Sequence, residues 1–524
     1  MEPGSNSFFT AAVLIVRQYF NSIVPFIILL LLFTGVAMPV QAATYHVTTT
    51  GSDDTGNGSL ASPWASITHA LDSVPDDSVI AVHAGTYNGR VRIRGSFAKG
   101  VTVRSEPSYQ ARLRNNDRVI TVYTDSRGAT GITLEGFDIA HSGEGSAPLV
   151  VHIDGGGNNG VSNITLRNNI LHDSYNNDIL KVNNACRNIL ISSNMFYNQT
   201  GSDEHIDINS VSDVIVENNI FFNDFEGSGR SNSNDTSSYI VIKDSNGAGD
   251  IYTGSRNVTV RRNVFLHWQG STGSNFILLG EDGQNFYEAY DILVENNLLL
   301  GDSPHVMRAP FGVKGGRDII FRNNTISGDL PALAYAMRLN SEGDNPPNTD
   351  ISFYNNIWVD QTGSMGAESA QGSNDFSDTP PDQTDSFILS SNLYWNGGQA
   401  IPASSSELIN YTDDGHRVVA NPLLTTPSSV VLPGWDAGSG RFKDGSASIA
   451  AAFTNLVTRY GALWSNSPAV NKGDSVHGAS EDILGNSRPI GSGSDIGALE
   501  FGSRSSTLPV IIAPVTNLLL KDKP

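Results

Sequence analysis

Eight asparagines recur at one place in a repeated pattern, and that recurrence restricts the chain to a stacked architecture. The pattern reads NITLRNNIL from Asn163, NILISSNMF from Asn188, DVIVENNIF from Asp213 and NVTVRRNVF from Asn257. It continues as DILVENNLL from Asp291, DIIFRNNTI from Asp318, DISFYNNIW from Asp350 and SFILSSNLY from Ser386. Each unit has a polar start, an alternating apolar stretch, an asparagine and a second apolar pair. The invariant position is Asn169, Asn194, Asn219, Asn263, Asn297, Asn324, Asn356 and Asn392. The first three units are spaced by 25 residues and the later ones by 27 to 44, as expected if one turn of each repeat accepts insertions.

Period-two alternation marks strands, not helices. Asparagine tolerates left-handed backbone angles, so it suits a sharp bend between two strands. Coils stacked in register would align the amides, each bonded to the next. This reading gives an all-β fold, a right-handed parallel β-helix with an internal asparagine ladder. A leucine-rich horseshoe is the rival solenoid, but its leucine spacing and helical half are absent. A chain of 524 residues would otherwise suggest several domains, whereas a solenoid grows lengthwise.

The ends fit the same reading. Pro63-Trp64 opens an amphipathic stretch with Ile67, Ala70, Leu71 and Val74 on one side, which predicts a short helix capping the open end. DSVIAVHAGTYNGRVRI from Asp77 reads as the first coil. The resulting division is a capping segment over about 43–90, regular coils over about 130–395, irregular closing coils over 396–501 and a tail over 502–524. Residues 1–42 read as a secretory leader: Arg17, an apolar run from Ile23 to Val36, and Val40-Gln41-Ala42 as a small-residue cleavage site. The run is short for a membrane span. A secreted or periplasmic monomer with no stable membrane partner is expected. Cys186 is the single cysteine, which excludes an internal disulfide framework and predicts a small buried apolar side chain.

The net charge of −21 argues against nucleic acid as a partner, because a polyanion needs a basic face. An acidic glycan faces the same repulsion unless a metal or a local basic patch offsets it. After each bend comes a further apolar strand: VVHID at 150–154, ILKV at 179–182, HIDI at 205–208, YIVIK at 239–243, FILL at 276–279 and VMR at 306–308. With Leu180, Val182, Ile206, Ile208, Ile240 and Ile242 inward, Lys181, Asp207 and Lys243 face outward on three successive coils, about 4.8 Å apart. Beside them stand Asp203, Glu204 and, one coil earlier, Asp178. Four carboxylates so placed repel one another unless a cation lies between them, and Ca²⁺ suits several oxygen ligands. Acidic pairs are also common as plain turn residues, and residue types alone favour that alternative.

The stretch SDEHIDI from Ser202 resembles the serine–acid–acid–x–x–Asp–apolar signature of family 9 polysaccharide lyases, the calcium-dependent pectate lyases. YIVIKD, containing Lys243, and NDILKV resemble two further strands of that family, and the likeness covers roughly residues 173–265. Glu204 stands where the family more usually has aspartate, His205 where it has glycine, and Asp178 lies nearer its lysine. The resemblance implies that Asp178, Asp203, Glu204 and Asp207 hold Ca²⁺ and that Lys243 is the Brønsted base of a β-elimination on a uronate polysaccharide. On that reading, nearby positive charge from Lys181 and the metal would lower the Lys243 pKa. Lys181 either pairs with Asp207 or binds substrate, and Arg308 is a further candidate to bind a uronate. His152 and Asp154 share the face one coil earlier. Trp268, Tyr287 and Tyr290 are sugar platforms or loop packing. The alternatives are a glycoside hydrolase using Asp178, Asp203 and Asp207, and a non-catalytic glycan-binding or adhesive β-helix.

Overall fold

The computed structural model describes residues 42–503 except 124, 126, 159, 201–202, 231–235, 302–306, 329–333 and 369–373. The expected leader and tail lie outside the described residues, apart from Ala42, Gly502 and Ser503. Each regular coil contributes three strands. One such coil runs Arg187–Ser192, Met195–Tyr197 and Glu204–Asn209, and the next runs Ser212–Glu217, Ile220–Phe222 and Thr236–Lys243. The strands of these coils pair in parallel with their counterparts one coil away, for example Ile189 with Ile164 and Val214. The fold is a right-handed parallel β-helix, the hand that parallel crossovers adopt. One side is a nine-stranded sheet from Val91–Ile93 to Arg338–Asn340. A single apolar core fills the lumen, with Ile164, Ile189, Val214, Val258, Ile292, Ile319 and Ile351 stacked in register.

The asparagines form the expected ladder. The Asn219 backbone N–H and Nδ2 both donate to Asn263 Oδ1, at 3.0 Å each, and Nδ2 also donates to the Ile191 carbonyl at 2.9 Å. The same arrangement runs from Asn169 to Asn392. At the far end Asp414 takes the place of the next asparagine, its carboxylate accepting from the Ser391 and Asn392 backbones and from Asn392 Nδ2. An acceptor-only side chain suits that position, since no further coil is there to receive a proton donor.

The left-handed angles fall elsewhere than the sequence suggested. They belong to the residue before each ladder asparagine (Asn168, Ser193, Asn218, Arg262, Asn296, Asn323, Asn355 and Ser391) and to unit starts such as Asn163, Asp213 and Asp350. The ladder amides are held in place by their hydrogen bonds, and the neighbouring residue makes the bend. In the coil before the ladder, glycine occupies both bend positions, at Gly131 and Gly136.

The capping helix spans Ile67–Ser73 and buries Ile67, Ala70 and Leu71, as the spacing indicated. It begins four residues later than Pro63, because Ser66 is its N-cap, accepting from the His69 N–H. Asp53 Oδ1 meanwhile accepts from the Ala65 and Ser66 backbones, and Trp64 bridges in parallel to Val47. The C-terminal region departs from the expected closing coils. The solenoid ends with Leu393–Asn396 and the short strand Val418–Val419. The chain then folds back along the outside of the Met195–Tyr197 stack. Phe442, the helix Ile449–Tyr460, Ile483 and Leu499 cover Ile170, Met195, Ile220, Val264 and Leu298 there. Strand residues that pack on both sides explain why this stack reads as an unbroken apolar pair in every repeat.

Candidate functional site

The nine-stranded sheet carries a repeated break in strand alternation. In successive coils two consecutive residues face the lumen, among them Val150-Val151, Ile179-Leu180, His205-Ile206, Tyr239-Ile240 and Phe276-Ile277. The residues on either side of each pair, three apart in sequence, therefore share the outer face. That slip brings Asp178 beside Lys181, and Glu204 beside Asp207. Register then stacks Lys181 on Asp207.

Ligand oxygens of Asp178, Glu204 and Asp207 lie within 4.8 Å of one another, and all three residues are buried. The Glu204 N–H donates to Asp178 Oδ1 at 3.0 Å. Burial, reinforced by the charge of Asp207, pushes the Asp178 carboxyl up to about 7. Burial and the charge of Asp178 also drive Glu204 well above its ordinary value. Lys181 supplies one compensating cation, its amine bonded to Asp207 Oδ2 and 3.9 Å from Asp178 Oδ2. Burial opposes that charge, but Asp207 and Asp178 outweigh it and keep the amine protonated. Asp207 Oδ1 is buried with no hydrogen-bond partner. An all-oxygen set of crowded carboxylates with one unused oxygen fits a hard cation.

Lys243 stands on the outer face two residues beyond Val241, the register partner of Asp207. It is therefore offset from the Lys181–Asp207 column, not aligned with it. Its Nζ lies 2.6 Å from Glu281 Oε2 and 3.5 Å from Asp282 Oδ1, both following the strand of the next coil. The expectation of a lowered pKa is overturned. Burial disfavours the charge, but Asp207, Glu281 and Glu204 together raise the pKa above the ordinary lysine value. Negative charge around the amine exceeds the single positive charge of Lys181. Glu281 was not anticipated, although the acid pair in GEDG directly after FILL occupies the right place in the repeat. The fully buried Glu288 fixes its loop by accepting from the backbones of Glu281, Asp282 and Gln284.

The other candidates separate. Asp203 does not join the carboxylate cluster; burial raises its pKa against a side-chain bond from Asn177. Arg308 lies before the strand Ala309–Lys314, not at the end of one, and its guanidinium sits 5.4 Å over the Tyr335 ring. His205 faces the core against Tyr239, with Nε2 donating to Asn223 Oδ1, and burial lowers its pKa to about 3. Trp268 is fully buried in the lumen against Tyr239, so it is packing, while Arg317 lies over both Tyr287 and Tyr290. Cys186 is a buried free thiol, as expected.

No protein-family model and no curated protein matches the chain. Solved structures similar to it include XylC in complex with xylose, at 12% identity and a TM-score of 0.49, covering 88% of this chain and 99% of that one. The pectate lyase Pel9A matches at 13% identity and a TM-score of 0.45, over 88% of this chain and 97% of that one. A polygalacturonase from Erwinia carotovora ssp. carotovora matches at 13% identity and a TM-score of 0.40, over 74% and 100%.

Proposed function

We propose that the protein is a carbohydrate-active enzyme that cleaves a uronate-containing polysaccharide by β-elimination, with Lys243 as base and Asp178, Glu204 and Asp207 as a calcium site. The observation that carries this reading is the gathering of three buried carboxylates and two lysines on one outer face of the solenoid. Lys243 Nζ takes the proton from the carbon α to the uronate carboxylate. The electron pair of that C–H bond forms a C4–C5 double bond, the C4–O glycosidic bond breaks, and the leaving oxygen gains a proton from solvent. A calcium ion held by the three carboxylates would supply positive charge for the substrate carboxylate and for the charge that develops on it. Neutralising Asp207 also removes the first of the charges that hold Lys243 protonated, so cation binding and base formation favour each other.

One observation favours a second reading. A carboxyl at about 7 crowded against other carboxylates also suits the acid of a glycoside hydrolase. Product analysis separates the two. The purified protein, incubated with pectate, alginate and glycosaminoglycans, gives ultraviolet-absorbing unsaturated ends if it is a lyase. Reducing ends without that absorbance would establish the hydrolase instead, and bound but uncut glycan would leave only a binding protein.

A further inference from the structure

The same break in alternation occurs once more, two coils before the acidic cluster, with opposite chemistry. Val119 and Ile120 both face the lumen, so Arg118 and Thr121 share the outer face three residues apart. Thr121 stacks on His152, which stacks on Lys181 and then on Asp207, one unbroken column about 4.8 Å per coil. Arg118 holds the place that Asp178 holds two coils later, with the buried Leu149 between them.

Two polar groups here lack partners. Thr121 is 7% exposed, and its hydroxyl is buried with no hydrogen bond. Arg118 is half-buried, its Nε is likewise unbonded, and among the described residues its guanidinium forms no ion pair. Burying unmet donors is costly; the neighbouring carboxylate, Asp117, accepts from the Arg118 backbone N–H at 2.7 Å and feels its charge without pairing to the guanidinium. His152 donates from Nε2 to Asn183 Oδ1 at 3.0 Å; burial lowers its pKa, that bond and the charge of Asp154 oppose the shift, and Arg118 adds to it. Residues 88–127 hold nine Lys or Arg against three Asp or Glu, and five of the nine (Arg90, Arg94, Arg104, Arg114 and Arg127) are ion-paired, partly to Asp72 and Asp138 outside that stretch.

We propose that Arg118, Thr121 and His152 form a carboxylate-binding subsite that takes a second uronate of the same polysaccharide, on the N-terminal side of the reacting sugar. The proposal rests on the polyuronate reading above. The arginine fork receives the carboxylate, the threonine hydroxyl donates to it, and His152, whose Nε2 hydrogen is given to Asn183, offers Nδ1 to a sugar hydroxyl as an acceptor. The guanidinium of Arg118 would thereby offset locally the repulsion that the net charge imposes on an acidic glycan.

The test measures binding of uronate hexasaccharides from pectate and alginate, and of cellohexaose as a neutral control, by calorimetry with calcium present. Full-length protein carrying Lys243→Ala serves as the parent so that binding is read without turnover. Adding Arg118→Gln is expected to weaken uronate binding at least tenfold, and Thr121→Val, nearly isosteric, severalfold, with melting temperatures unchanged. Unchanged uronate affinity in both variants, or equal affinity for cellohexaose, would overturn the subsite. Continued cleavage by the Lys243→Ala parent would instead defeat the base assignment and leave the subsite standing, so the two failures are distinct.

Discussion

The Lys243 amine is paired to Glu281, 2.6 Å away on the following coil, and not to the clustered carboxylates of Asp178, Glu204 and Asp207. The proposed base thus sits between two acidic groups, one able to bind a metal and one fixed by the buried Glu288. Metal binding would change the first group's charge and leave the second's as it is.

That arrangement sets the pH dependence. A raised amine pKa means the neutral base appears only as pH climbs, so the rate should rise through the alkaline range. Glu281→Gln removes one charge that favours the ammonium. The rising limb of the kcat/KM profile is expected to move about one pH unit downward, whereas a purely structural role for Glu281 would lower the rate without moving the limb.

The acidic cluster makes the fold pH-sensitive in the sense opposite to an ion-paired carboxylate. Asp178 titrates above its unfolded value, so between about pH 4 and 7 the folded state holds a proton that the unfolded chain releases, and Glu204 is shifted in the same direction. Their contribution to stability is therefore lost as pH rises through that window. Without divalent cations, Asp178→Asn/Glu204→Gln should melt above the wild type at pH 8, with the gap closing near pH 5. Calcium should stabilise only the wild type, by about 2.7 kcal/mol at a hundredfold excess over Kd, as read by calorimetric melting at pH 8.

Lys181 competes with any bound metal, since its amine already occupies Asp207 Oδ2. Lys181→Met should tighten calcium binding by about tenfold or more in a calorimetric titration, given the repulsion between like charges at such range. Weaker calcium binding in the variant would show that the lysine organises the site instead.

The ladder should be costly to interrupt. Asn263→Ala leaves the Asn219 N–H and amide without their acceptor and the Val216 carbonyl without its donor. A loss of about 3 kcal/mol is expected from groups stranded in the core, visible as an earlier denaturation midpoint and faster hydrogen exchange around 219–220.

The coil pattern was legible because stacking demands the same residue at the same place in every repeat, as at Asn169 to Asn392. The pairing of Lys181 with Asp207 was legible for the same reason, since both follow an inward residue in matching strands. The doubled inward pair at His205-Ile206 was not, because strict alternation is the only pattern a strand announces, and the slip shows only when Tyr239 and Phe221 are seen packed on the histidine. Asp203 precedes that slip and stays out of the cluster. Arg308 was assigned to a strand that begins one residue later. The returning C-terminal segment was hidden because its partners lie some 150 to 220 residues upstream, as in Arg262–Glu481 and Asn323–Ala479.

The central claim is that residue 243 removes the proton. It is tested most directly by following unsaturated-uronate absorbance on a cleaved polyuronate with calcium, for the wild type and for Lys243→Ala of unchanged melting temperature. The account gives a steady rise for the wild type, abolished by chelator, and a rate at least a thousandfold lower for the variant, within the range that a positioned base contributes, about 10²–10⁴. A Lys243→Ala protein that still generates the unsaturated product at a comparable rate would contradict it.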